Sequence, residues 1–485
     1  MIARIVRNVV SLLTGHLVSK IFSLLCIIVL AKELGVDGFG TYGAITASLT
    51  LFATFADSGL LPLVIREVSQ NHEQRTEIFV HAFVLRMLLA SVFYAAFCLG
   101  GTLYFANTFS PAFMMGAGLF LFPETIRKLG ISMLSGIERM EIVAGLEILG
   151  SVVRYLPLLA AILLGLPLRS AFLLFVFAWG VPALVWLFTV RRYCGRRLPG
   201  TIEFARLRSL LYEAYPFGAM SILAMIYFKA DILMLNHMQG SGAVGLYEAA
   251  WKFIEASMFV PVSLVNVLLP VMSRTFHEDR DSYTTIYIHA ARILTLSVFP
   301  IILTASLFRN EIILLVYTQD YLPAASVLGL LLWSLFVIFL NAPLGSVIAS
   351  SKHMHAFLPF AVGNTLVNIA LNALLIPKYS VTGAGAATLM TECLSFIIHL
   401  HFIKKITGTA APLITLTGKL LLLGIVSWLT GYFSISSAIF PLNILPMLGV
   451  YALAVFFLKL FDRQDQQVCR EFLQKIAVKF SAGAC

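Results

Sequence analysis

Apolar stretches of about 20 residues recur from one end of this chain to the other, separated by short clusters of charged, small and turn-forming residues. Each is long enough to cross a ~30 Å hydrocarbon core as an α-helix. A transmembrane barrel would instead need alternating segments of about ten residues, a pattern the sequence lacks. The apolar periods predict about fourteen helices, spanning 9–34, 38–62, 76–104, 112–136, 140–165, 168–192, 213–238, 243–273, 286–308, 323–350, 355–377, 382–405, 411–432 and 442–461. The first run follows Arg4 and Arg7 as a signal peptide would. It is too long for one, contains Lys20 and lacks a small-residue cleavage site, so it reads as an uncleaved helix.

The polar residues between the apolar runs set an orientation. With both termini in the cytoplasm, that side holds Arg4, Arg7, Arg66, Arg75, Arg139, the arginines from Arg191 to Arg208, Arg274, Arg280, Lys352, Lys404, Lys405, Lys459 and the basic residues of the tail. The opposite face then holds only Lys32, Arg169, Arg309 and Lys378. Basic loops stay in the cytoplasm, so this placement is the expected one.

Composition agrees with a polytopic membrane protein. The 485 residues are 59% hydrophobic and 12% charged, against about 25% charged in soluble domains, and the mean hydropathy is +0.91. The net charge of +10 follows from the cytosolic loops and does not point to nucleic acid. Cys26, Cys98, Cys194, Cys393, Cys469 and Cys485 show no close pairing, so neither a disulfide framework nor a metal site is expected. No P-loop, HExxH or CxxC occurs. Asp279-Arg280-Asp281 has the DxD form of metal-dependent glycosyltransferases, but it sits in a short loop and reads as a solvated charge run. The chain is not expected to be an enzyme or to carry a cofactor.

An internal repeat organises the helices. Leu60-Leu61-Pro62, Arg66 and His81-Ala82 recur in order as Leu268-Leu269-Pro270, Arg274 and His289-Ala290, and Gly40/Tyr42 recurs as Gly245/Tyr247. Each copy holds six helices, an even number, so the two enter the membrane in the same sense. The expected fold is all-α: a six-helix lobe over 1–192, a basic cytoplasmic linker over 193–212 suited to anionic headgroups, a second six-helix lobe over 213–405, two further helices over 406–461, and a cytoplasmic amphipathic tail over 462–485.

Charges inside the apolar runs carry the candidate chemistry, because an ionised side chain at the bilayer centre is costly and marks a site by default. Lys20 lies about 17 Å along the first helix, and Lys229 about 18 Å past Phe217, where the second repeat's first apolar run begins, so the two are read as a pair matched in depth. Arg86 and Arg292 form a second matched pair, and Lys252 shares a helix face with Glu255. These cations are the candidate anion-binding residues. Lys229 and Asp231, two apart, point to different faces. Among the intramembrane carboxylates, Asp231 and Glu255 are the candidates for coupling to H⁺ or Na⁺. Asp57 is read as a structural ion-pair partner. Arg127, Lys128, Arg154 and Lys419 are expected to snorkel toward the interface.

Several segments resemble a known family. Val18-Ser19-Lys20, Leu30-Ala31-Lys32-Glu33-Leu34-Gly35, Gly38-Phe39-Gly40-Thr41-Tyr42, Phe55-Ala56-Asp57-Ser58-Gly59-Leu60 and Ile65-Arg66-Glu67 carry the likeness in the first half. Ala230-Asp231-Ile232-Leu233-Met234-Leu235, Val244-Gly245-Leu246-Tyr247-Glu248-Ala249-Ala250 and Leu371-Asn372-Ala373-Leu374-Leu375-Ile376-Pro377 continue it. Together they resemble the polysaccharide transporters, including O-antigen (Wzx-type) flippases, of the MATE-like multidrug/oligosaccharidyl-lipid/polysaccharide exporter superfamily. The resemblance implies a V-shaped pair of lobes around a cationic cavity in a bacterial inner membrane. It implies alternating-access flipping of undecaprenyl-diphosphate-linked oligosaccharide for lipopolysaccharide or another surface polysaccharide. Lys20, Arg86, Lys229, Lys252 and Arg292 would then hold the diphosphate, with membrane lipids and polysaccharide polymerase machinery as partners. An ion-coupled multidrug exporter of the same superfamily is the main alternative, and a membrane-embedded glycosyltransferase or polymerase a further one.

Overall fold

The computed structural model describes residues 2–193, 202–278, 280–351, 353–435 and 444–457. Their regular structure is entirely helical, as the apolar pattern predicts. In chain order the helices are α1 (Ile2–Asp57), α2 (Leu60–Gln70), α3 (Arg75–Tyr104), α4 (Pro111–Gly118), α5 (Leu121–Gly136), α6 (Met140–Leu163), α7 (Leu168–Tyr193) and α8 (Phe204–Gln239). They continue as α9 (Ser241–Ser257), α10 (Phe259–Glu278), α11 (Arg280–Leu307), α12 (Arg309–Val316), α13 (Ala324–Ser350), α14 (Met354–Thr407), α15 (Ala411–Ile435) and α16 (Ile444–Phe457). Part of the predicted linker (194–201), Asp279 of the DxD run and the predicted amphipathic tail lie outside the described residues.

Seven of the described helical segments are long and apolar enough to cross a membrane. Their outer faces carry side chains such as Leu103 and Phe188, 81% and 72% exposed. Apolar surface of this extent would drive association in water and is satisfied by lipid. The protein is a multi-pass membrane protein.

Backbone breaks fall where local chemistry forces them. α1 bends at Gly35, whose φ of 65° lies in the left-handed region, between two helices the sequence predicts as separate. α14 breaks in the same way at Ser380, φ 50°, again at a predicted boundary. Three divisions were not expected: after Asp57, between α4 and α5, and between α9 and α10. Each follows from a proline early in the second helix. Pro62, Pro123 and Pro261 cannot donate to, and crowd, the carbonyls four residues earlier, those of Ser58, Leu119 and Ser257.

By contact the chain forms two units. The first comprises residues 1–252, 316–321 and 369–384, and the second comprises 253–315, 322–368 and 385–485. In the first, α1 packs on α6, α6 on α7, and α8 on α1 and α2. Trp186, Val64, Val68, Phe79 and Leu129 form a dry core among α2, α3, α5 and α7. The repeated Gly-x-Tyr motifs meet here. A Cβ on Gly40 would strike the backbone of Ser241 and Gly245, and a Cβ on Gly245 would strike the carbonyl of Val36 and the backbone of Gly40. Small residues therefore let α1 and α9 touch along their main chains. In the second unit α13 packs against α10 and α11, with Tyr283, Tyr287, Leu344, Val347, Phe402 and Ile403 in the core.

The linker differs from its prediction at its end. Helix α8 begins at Phe204, ahead of the predicted start at 213. Arg206 pairs with Glu67 at 2.8 Å, and Glu213 accepts from Arg66 at 2.7 Å. Arg206 thus serves an intramolecular ion pair, in place of the lipid headgroup expected for the linker arginines.

Candidate functional site

The candidate cations occupy distinct environments. On α1, Ser19 is buried and its hydroxyl pairs with that of Ser151 on α6, while the next residue, Lys20, is exposed. Lys229 is half-buried on α8. In the second unit Arg292 on α11 and Glu255 on α9 are half-buried.

Arg86 departs from expectation. Its side chain is 0% exposed, and its Nη1 lies 2.7 Å from Oδ1 of Asp57. The guanidinium therefore sits in a buried ion pair that ties α3 to α1, shut off from any open cavity, although its three nitrogens have no hydrogen-bond partner among the described residues. Asp57 is in an ion pair, but its partner is Arg86, while Arg66, nine residues after Asp57 and the partner the spacing suggested, turns to Glu213. The Lys252 ammonium lies 3.0 Å from Glu248, one helical turn earlier.

Three cations expected to snorkel instead face inward. Arg127 donates through Nε and Nη2 to both oxygens of Glu124, at 3.0 and 2.5 Å, and through Nη1 to Glu147 at 2.8 Å. Lys128 donates to the carbonyl of Ala53 at 3.1 Å, with Asp57, Glu124, Arg127 and Arg86 in electrostatic range. The Arg154 guanidinium sits over the rings of Tyr155 and Trp179, 4.7 and 4.6 Å from their centroids. Phe175 lies further off, at 5.9 Å. Among the described residues no carboxylate lies within ion-pair distance of Arg154, although Glu124 is in electrostatic range; its Nη2 donates to the Tyr155 hydroxyl at 3.4 Å, and its Nε is buried without a hydrogen bond. Arg154 and the Lys252–Glu248 pair both lie within electrostatic range of the buried hydroxyl of Tyr42. A residue of the second repeat and one of the first thus converge on α1.

The first unit accordingly holds a polar interior within an apolar shell. Arg127 is offset by Glu124 and Glu147, Arg86 by Asp57 and Lys252 by Glu248. Arg154 is held by aromatic faces, which favour a cation without neutralising it. Its forked N–H donors suit phosphate oxygens. The sequence contains a signal for this arrangement: Phe175 and Trp179 are one helical turn apart on α7, and Tyr155 adjoins Arg154 on α6.

Asp231 anchors a separate constellation. It is 3% exposed, and the Tyr247 hydroxyl and the Asn372 amide each donate to it at 2.6 Å. The carboxylate is thus fixed by three elements, α8, α9 and the middle of α14. In the second unit Glu392 accepts from the Asn341 amide at 3.2 Å.

The architecture is the all-helical fold of the MATE-like exporters. The chain belongs to the polysaccharide biosynthesis protein family, whose profile matches residues 5–276. The MatE profile matches residues 216–374. Among curated relatives, the probable low-salt glycan biosynthesis flippase Agl15 of Haloferax volcanii is 21% identical over 82% of this chain and 83% of its own length. The probable flippase AglR of the same organism is 23% identical over 79% of each chain. Among solved structures, the lipid II flippase MurJ in an inward closed conformation superposes with a TM-score of 0.71 at 14% identity, covering 93% of this chain and 99% of MurJ. An inward-facing MATE-family multidrug resistance transporter superposes at 0.63 and 13% identity, covering 81% and 96%.

Proposed function

We propose that this protein flips an oligosaccharide linked to a polyprenyl diphosphate, with undecaprenyl as the carrier, across the bacterial cytoplasmic membrane for assembly of O-antigen or another surface polysaccharide. The observation that carries the proposal is Arg154, an inward-facing guanidinium with aromatic neighbours and no carboxylate partner among the described residues, near Lys252. A diphosphate supplies the anion this arrangement lacks. The flippase names of two relatives, each matched over about four-fifths of this chain, support the same reading. Arg154 joins Lys20, Lys229, Lys252 and Arg292 as the proposed headgroup cations; Arg86 leaves that set because its side chain is 0% exposed, whereas Lys252, though paired with Glu248, is 15% exposed. Alternating access of the two repeats would carry the headgroup while the polyprenyl tail stays in lipid. The termini would lie in the cytoplasm, and polymerase machinery would take the product.

The decisive experiment follows translocation of a labelled polyprenyl-diphosphate oligosaccharide in proteoliposomes. Arg154→Ala should lower the rate by at least roughly tenfold, the scale of one lost charge-assisted contact, and Arg154→Lys should recover part of it. Wild-type rates in both Arg154→Ala and the Lys20→Ala/Lys229→Ala double variant would refute the cationic headgroup site. The MatE match favours a second reading, an ion-coupled multidrug exporter. Ion-driven efflux of a cationic drug, with no glycolipid flipping, would establish it.

A further inference from the structure

A cavity of about 550 Å³ opens in the second unit, lined by α11, α12, α13 and α15. Its volume falls within the range of small-ligand sites. It lies wholly inside one unit and shares no residue with the polar interior around Arg154. One wall, formed by Leu421 and Ile425 of α15, is apolar and 48% and 62% exposed, as a lipid-facing surface is. Trp333 of α13 also lines the cavity.

The polar end is distinct. Arg309, the first residue of α12, lies where the chain leaves its apolar segment and is exposed. Its guanidinium rests against Gly329, where an added Cβ would meet Nη1 at 2.9 Å. Among the described residues no carboxylate pairs with it. Ser306, the last residue but one of α11, lines the cavity and is 7% exposed, and its buried hydroxyl has no hydrogen-bond partner among the described residues. Helical serines ordinarily bond to the carbonyl four residues back, so a buried orphan hydroxyl here calls for an acceptor. A forked cation, an unsatisfied hydroxyl and an adjoining lipid-facing strip are complementary to a phosphodiester carrying acyl chains.

We propose that this cavity binds an anionic glycerophospholipid. Its phosphate accepts from Arg309 and Ser306, and an acyl chain lies along Trp333, Leu421 and Ile425. The bland alternative is an arginine that merely snorkels to the interface. That alternative predicts a weak, non-saturating preference for anionic lipid and no role for Ser306.

The test uses the purified full-length chain in mixed micelles titrated with brominated phosphatidylglycerol or brominated phosphatidylcholine. The Trp333 signal is isolated by subtracting the Trp333→Phe variant. Phosphatidylglycerol should quench Trp333 saturably and phosphatidylcholine only weakly. Arg309→Gln should weaken the phosphatidylglycerol response roughly tenfold, and Ser306→Ala should weaken it less. Excess inorganic phosphate should leave the response in place, because it lacks the acyl chain. Equal quenching by both lipids would overturn the proposal, as would an Arg309→Gln titration that superposes on wild type or full displacement by phosphate. The comparison of two lipids on the unmutated protein decides the matter even if a variant folds poorly.

Discussion

At the scale of single residues, the contrast between Arg86 and Arg154 separates structure from candidate function. Both are arginines within apolar helices, yet one is sealed against Asp57 and the other faces rings. Removing one member of a buried ion pair leaves its partner charged and unpaired, at a cost of about 3–5 kcal/mol. Arg86→Ala should therefore unfold at distinctly lower temperature in detergent and accumulate poorly, and Arg86→Ala/Asp57→Ala should recover part of that loss. An unchanged melting temperature in the single variant would show that the pair is not structural. Arg154→Ala should leave folding nearly intact while translocation falls. Asp231 calls for a different assay. Its carboxylate takes two hydrogen bonds of 2.6 Å from Tyr247 and Asn372, a cradle that would respond to loss of its negative charge. If Asp231 couples transport to H⁺ or Na⁺, Asp231→Asn should abolish the dependence of translocation on the imposed gradient. Gradient dependence identical to wild type would remove Asp231 from the coupling step.

At the scale of elements, most of the helix pattern was legible in the sequence because apolar run length and the bilayer constrain each other. The breaks at Gly35 and Ser380 fall between runs already separable by their polar punctuation. The unexpected divisions have a local cause, a proline near the start of α2, α5 or α10, which hydropathy alone does not weigh. Side-chain partners were less legible, since Arg86 meets Asp57 and Arg127 meets Glu147 across helices whose relative rotation no one-dimensional spacing encodes. The repeated glycines lie between these cases. Their recurrence was visible, but their mutual contact was not. Because each Cβ would collide with main chain, Gly40→Val or Gly245→Val forces α1 and α9 apart, at a cost of about 1–3 kcal/mol or more. Gly145→Val, with nothing within 4 Å of the added Cβ, is the control. Thermal unfolding should separate the first two variants from the third. Three equal melting temperatures would mean that the α1–α9 contact yields freely.

At the scale of the whole molecule, direction of transport depends on which way the chain lies in the membrane, and the basic residues make a definite statement about that. Arg139 and Lys378 are both exposed and belong to opposite faces of the expected topology. In a background with Cys26, Cys98, Cys194, Cys393, Cys469 and Cys485 replaced by serine, Lys378→Cys should react with a membrane-impermeant maleimide on intact cells. Arg139→Cys should react only after the membrane is permeabilised. The reverse labelling would invert the chain, and with it the leaflet that the Arg309 cavity faces. Labelling of both sites from outside would contradict the topology itself. The expected result places Arg309 in the outer leaflet, so the phospholipid bound there would be drawn from the side to which the glycolipid is delivered. The proposed headgroup cations and the lipid site could then be tested independently, because no residue belongs to both.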